Sequence, residues 1–91
     1  MIVVYTDGTS LDVPNPDLSL EVLQALVGGY IEFVSLRDGS ALVVNEEGLL
    51  LGLEPNPTAT AIAVTKGMPV RIVGTALFLS RREVQESDDQ G

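Results

Sequence analysis

The 91-residue chain contains no cysteine, no histidine and no tryptophan. Without cysteine there are no disulfides, thiolate nucleophiles or sulfur-ligated metal sites, and without histidine the commonest general base and metal ligand near neutral pH is missing. Only carboxylates, hydroxyls, Tyr5, Tyr30, Lys66 and four arginines are left for acid–base work. Catalysis would have to rest on a carboxylate pair or an oxygen-ligated Mg²⁺ or Ca²⁺. The acids are dispersed and no DxDxDG spacing accompanies them, so the reading is a protein that is not an enzyme, with no catalytic residues, no metal and no cofactor. Phosphate loops are missing as well: Gly28-Gly29 lacks the GxGxxG spacing and Lys66-Gly67 lacks GxxxxGK[ST].

Long apolar runs are also lacking. Apolar residues make up 45% of the chain, but Asp, Glu, Gly or Pro interrupts them every few positions, and nothing approaches the ~20 residues of a membrane span. The opening MIVVY is short and has no basic flank, unlike a secretory signal. These features predict a soluble, cytoplasmic protein with no membrane partner.

Basic charge is scarce: 13 acids face 5 bases, a net charge of −8. The last eleven residues, Arg81–Gly91, account for −2 of it and the preceding eighty for −6, so the acidity belongs to the domain as well as to its end. Such a surface repels phosphate backbones and argues against direct nucleic-acid binding. It is compatible with simple solubility, with a basic protein partner, or with mimicry of nucleic acid.

The pattern along the chain alternates between two periodicities. Ile2–Tyr5, the Asp7-Gly8 turn signal and Thr9–Val13 predict an opening hairpin. Pro14 and Pro16 end it, and Asp17 or Ser19 caps a helix predicted over Leu18–Val27, with Leu20, Leu23, Leu26 and Val27 on its apolar face. Gly28-Gly29 stops that helix. Tyr30–Leu36 alternates as a strand, Asp38-Gly39 turns into Ala41–Val44, and Asn45-Glu46-Glu47-Gly48 forms a turn with its glycine left-handed, before Leu49-Leu50-Leu51. Pro57 opens a short helix through Ala63, and a long, nearly all-apolar strand is predicted over Val70–Leu79, central in its sheet. The fold class is α+β: one small domain over residues 1–80, a mainly antiparallel sheet with one main helix and a second short one, followed by a polar acidic tail, 81–91, read as disordered or a frayed helix.

Three places hold candidate site residues. Gly28-Gly29-Tyr30-Ile31-Glu32 offers close backbone approach at Gly28 and Gly29, with a phenol (Tyr30) and a carboxylate (Glu32) on one face of the next strand, a combination suited to a ribose or base edge; the alternative is a helix cap beside a core tyrosine. Asn45 and Glu46, with Glu47, form an acidic turn that either contacts a ligand or is simply solvated. Asn56, between two prolines, is either an N-cap or a ligand contact. Leu49-Leu50-Leu51 is longer than one face of a half-buried strand requires and predicts contact with another subunit, as in a homodimer, unless the Thr58–Ala63 helix covers it.

The pieces LQxxVGGYIE (Leu23–Glu32), NEEG (Asn45–Gly48) and LGLxxN (Leu51–Asn56), followed by Ala59, resemble the small-protein family DUF3846 across about residues 18–79. The chain departs from a plain family pattern in its single lysine and in the leucine run after NEEG. The resemblance implies a bacteriophage, plasmid or bacterial-host setting, and the family carries no assigned activity. Two functions are then expected: a non-catalytic accessory protein that binds and modulates a host protein, or a small-ligand, possibly nucleotide-binding, protein that uses Gly28–Glu32 and Asn45–Asn56.

Overall fold

The computed structural model describes residues 1–90. The strands are β1 (Ile2–Val4), β2 (Ser10–Asp12), β3 (Ile31–Ser35), β4 (Ala41–Asn45) and β5 (Ala76–Leu79); the helices are α1 (Leu20–Val27), α2 (Pro57–Thr65) and α3 (Arg81–Gln90). The sheet runs in the order β2-β1-β5-β4-β3, and every neighbouring pair is antiparallel. The fold is α+β, as the change of periodicity implied, with three helices where two were expected.

Strand alternation sends successive side chains to opposite faces of the sheet, and here both faces are buried. Val3, Val43, Leu77 and Leu79 face one way and pack with Leu23 and Val27 of α1; Val4, Leu42, Val44 and Ala76 face the other and pack with Ala59 and Ala63 of α2. Two-sided burial explains why β4 and β5 are apolar at almost every position. The result is three layers, with α1 and α3 above the sheet and α2 below it.

Local chemistry sets the helix ends. The Asp17 carboxylate accepts from Ser19 N–H at 2.9 Å, and Ser19 in turn caps α1 by accepting from Val22 N–H at 3.4 Å. Leu18, expected inside the helix, lies just before the cap and is buried in the same cluster as Leu23, the placement of a hydrophobic staple. Gly28 ends α1 with φ 82°, a left-handed conformation that glycine takes without penalty. The predicted four-residue apolar face is narrower in fact: Leu23 and Val27 are buried, while Leu20 and Leu26 are exposed. In barely two turns, one i, i+4 pair presses on the sheet, and residues three away from Leu23 fall about 60° to either side of it.

The predicted Val70–Leu79 strand is shortened to Ala76–Leu79, although it is central as expected. Gly74, at φ 74°, breaks the strand, and its N–H donates to Glu54 O at 2.7 Å. The upstream half leaves the sheet, touches Pro55 through a single bridge at Val73, and lays Ile72 over the lower core. In the NEEG turn, Gly48 is not left-handed as expected; the left-handed glycine of this loop is Gly52, after the leucines. Gly48 serves close packing instead, since a Cβ there would stand 2.8 Å from Val73 Cγ2.

The segment read as a disordered or frayed tail is helix α3, with Gly91 outside the described residues. Its start is a capping box: Glu83 N–H donates to Ser80 Oγ at 3.2 Å, and Ser80 N–H donates to Glu83 Oε1 at 3.0 Å. Glu83 also accepts from the Met1 α-ammonium at 2.6 Å, and Val84 packs on the upper core. Partial burial pushes the Glu83 carboxyl upward, but the bonds from the α-ammonium and Ser80 outweigh it and leave its pKa below the ordinary value.

Replacing Leu23 by Ala should cost roughly 2–5 kcal/mol in urea denaturation, as large-to-small changes in a closed core do. A folded-state pKa below the unfolded one means that the folded chain holds fewer protons between the two values. Glu83 therefore contributes stability above the unfolded pKa and loses it as pH falls through the folded one. Glu83→Gln should be less stable than the parent by no more than about 1 kcal/mol near neutral pH, and melting curves of the two should converge only once pH falls below the folded-state pKa of Glu83.

Candidate functional site

The expected site residues separate across the sheet. Gly28 and Gly29 follow α1 on the upper side, whereas Asn56 caps α2 on the lower side. Gly28–Glu32 and Asn56 therefore do not form one continuous surface.

Asn56 is an N-cap and more. It is 0% exposed, and its Oδ1 accepts from Ala59 N–H at 3.0 Å. Its Nδ2 donates to Val4 O at 3.0 Å and to Gly74 O at 2.9 Å. One amide thus joins the end of β1, the bend before β5 and the start of α2. With its oxygen and both N–H donors engaged, it has no donor to offer a ligand.

Asn45 plays the matching part above the sheet. Its Nδ2 donates to Val27 O at 3.2 Å, at the end of α1, and its Oδ1 accepts from Glu47 N–H at 2.8 Å. A Cβ on Gly29 would lie 3.0 Å from that Nδ2. The glycine pair and the asparagine, two pieces of the recognised pattern, therefore form a single lock between the end of α1 and the end of β4.

What remains available lies around this lock. Gln24, Gly28, Gly29, Tyr30, Asn45, Glu47 and Leu51 border a shallow recess of ≈ 230 Å³, and Tyr30 at its rim is 65% exposed. Glu32 and Glu46 are not in this recess; they line a smaller groove of ≈ 160 Å³ with Val34, Leu49 and Arg71 on the other face of the sheet. Between recess and groove, the connection from β4 to α2 carries Leu49, Leu50 and Leu51 at 76%, 85% and 60% exposure. Successive turns hold it: Leu51 N–H donates to Glu47 O at 2.9 Å, and Leu53 N–H donates to Gly48 O at 3.0 Å. The leucines are not strand residues, and α2 does not cover them. Exposed Glu46, Glu47 and Glu54 flank them.

At the opposite end of the β3–β4 hairpin, Lys66 Nζ meets Asp38 Oδ2 at 2.6 Å and sits 5.8 Å from the Phe78 ring centre. The Lys66 ammonium and the Ser40 hydroxyl and amide hold the Asp38 carboxyl well below the usual carboxylate range. This is a clasp between the hairpin turn and the end of α2. Among the described residues, no group of three or more Asp or Glu is placed to hold a metal ion, and no helix is long and apolar enough to cross a membrane.

The architecture defines a small α+β domain whose antiparallel sheet is covered on both faces and which exposes a run of three leucines on a loop. The family model described as a domain of unknown function, DUF3846, matches residues 1–90, and the chain belongs to that family. The match spans more of the chain than the 18–79 segment that carried the resemblance. No curated protein and no solved structure matches the chain.

The two asparagines and the tyrosine separate structural from surface roles. Asn56→Asp is nearly isosteric but cannot donate to Val4 O and Gly74 O, so it should destabilise by about 2–5 kcal/mol, comparable to Asn56→Ala. Tyr30→Ala should stay within about 0.5 kcal/mol of the parent. Chemical denaturation of the three variants checks both expectations.

Proposed function

We propose that this protein is a non-catalytic binding protein that docks on a host protein and modulates it, with the leucine loop 49–51 as its contact surface. The observation that carries this reading is the exposure of three consecutive leucines, a contiguous run where the other exposed large apolar residues, such as Leu11, Leu20 and Val64, are separate in the sequence. Contiguous exposed apolar surface on a small domain marks an interaction site. Turn hydrogen bonds present the leucines already ordered, which lowers the entropic cost of binding. Glu46, Glu47 and Glu54 around them, on a chain of net charge −8, favour a partner surface with apolar anchors and a basic rim and would speed its approach. The same acids oppose pairing of this loop with its own copy. The phage and plasmid setting implied by the family resemblance supports a bacterial host protein as the target, met in the cytoplasm.

Asp7, Asp38 and Glu83 are held below their ordinary values by turn, clasp and cap contacts, so these three carboxylates are placed for the fold rather than for donating protons at neutral pH. A second reading, a small ligand at the Gly28–Tyr30 recess, has the exposed Tyr30 ring in its favour. Against it, ≈ 230 Å³ lies below the ~300–1,000 Å³ of ordinary ligand sites.

One comparison tests both. Capture from host lysate with the full chain and with Leu50→Glu, read by mass spectrometry, should give a partner with the first and not the second, at unchanged melting temperature. If nucleotides raise the melting temperature by several degrees and Tyr30→Ala removes that gain, the ligand reading replaces the docking one.

A further inference from the structure

The two edges of the sheet are not alike. β2 has three residues and runs into Pro14 and Pro16, which blunt it. β3 has five residues, Ile31-Glu32-Phe33-Val34-Ser35, with no proline and no lysine, and it pairs only with β4. Its hydrogen-bonding phase follows from the ends of the hairpin. Leu36 N–H donates to Ser40 O at 2.9 Å, and Glu46 N–H donates to Tyr30 O at 2.8 Å. The register is continuous between them, pairing Glu32 with Val44, Phe33 with Val43 and Val34 with Leu42. In an antiparallel ladder, hydrogen-bonded and non-bonded pairs alternate. Glu32 and Val34 therefore bond inward to β4, while the N–H and C=O groups of Ile31, Phe33 and Ser35 point away from the sheet. Among the described residues, those outward groups make no hydrogen bond to any loop or side chain.

We propose that β3 is a self-association edge, at which a second copy of this chain pairs antiparallel about a two-fold axis through Phe33. This surface is independent of the leucine loop. The occupant is argued from the strand's own symmetry. With Phe33 opposite its counterpart, Ile31 faces the partner copy's serine and Ser35 its isoleucine. Three residues on each side then exchange hydrogen bonds, every outward group of the edge is satisfied, and the two sheets join into one. Glu32 falls opposite valine, so no two carboxylates stand directly across the seam, and the half-exposed Phe33 rings meet as an aromatic pair on the upper face. A net charge of −8 on each copy opposes association at long range, so the dimer strengthens with salt.

Light scattering on the full chain from micromolar to millimolar concentration, at low and moderate salt, gives the mass; amide hydrogen exchange by NMR gives the surface. The expected result is a mass rising from 9.6 kDa to twice that value, with the Ile31, Phe33 and Ser35 amides becoming protected as it rises. Phe33→Pro removes an outward N–H and the paired ring but no bond to β4, and fits an edge strand, so it should keep the fold and raise the dissociation constant by about tenfold or more. Phe33→Lys is the second variant and should do the same through charge. A chain that stays at 9.6 kDa throughout overturns the proposal. So does a dimer whose three amides exchange freely, or one that Leu50→Glu dissolves while Phe33→Lys leaves it intact.

Discussion

The structure depends on burying a sheet that is apolar on both sides in a chain of only 91 residues. Val43, Leu77 and Leu79 project up, Leu42 and Ala76 project down, and all five are almost wholly inaccessible, so neither face can be left wet. The helices and one irregular run serve as cover. α1 and the polar helix α3 close the upper face; α2 and the irregular run through Ile72 close the lower one. Small residues at Ala59, Ala63 and Ala76 let α2 lie close to the sheet. Once both faces are covered, little chain remains to enclose a deep cavity, and the recesses are open ones, of ≈ 550 and ≈ 360 Å³ beside α2 and ≈ 230 Å³ around the glycine pair.

A small core gains specificity from two buried amides. Asn45 ties the end of α1 to the end of β4, and Asn56 ties β1, the bend at Gly74 and α2 to one another. Each sits where irregular backbone would otherwise leave carbonyls or N–H groups buried without partners, which is costly in a dry interior. The glycines and asparagines of the recognised pattern therefore read mainly as the fasteners of this architecture. That accounts for a family pattern of fold-forming residues without assuming a shared ligand.

Much of the fold was legible because it is written in local chemistry. The turn at Asp38-Gly39, the stop at Gly28, the cap at Asn56 and the central placement of the last strand all follow from residue type and periodicity. One departure has a definite cause. The predicted last strand is six residues too long because Val70–Leu79 is small or apolar at nearly every position, and composition does not reveal that Gly74 turns left-handed to bond Glu54. Polarity alone points to disorder or a frayed helix for the tail; the helix forms because Ser80-Arg81-Arg82-Glu83 is a capping box, and its docking includes Val84 and the Met1 ammonium, a contact between the two ends of the chain that no local pattern encodes. The candidate site fared less well for the same reason. Gly28, Gly29 and Tyr30 do meet Asn45 around one recess, but Glu32 and Glu46 face away from it and Asn56 lies beyond the sheet, separations set by tertiary topology.

The exposed loop and the free strand edge bear on each other through geometry. Glu46 opens the loop and bonds Tyr30 at the start of β3, so the leucines lie at one end of the edge strand. In a two-fold antiparallel pairing, the corresponding ends of the two strands point in opposite directions, which places the two leucine loops at opposite ends of the seam, about 15–20 Å or more apart for strands of this length. Such a dimer presents two equivalent apolar anchors, each with its own acidic rim, fixed by a continuous sheet rather than by a flexible linker. A partner with two basic-rimmed sites at matching separation would bind both at once, with the second contact made at high effective concentration, whereas a partner with one site would gain nothing from pairing. The edge strand would then set which partners are bound tightly, and the loop which are recognised at all.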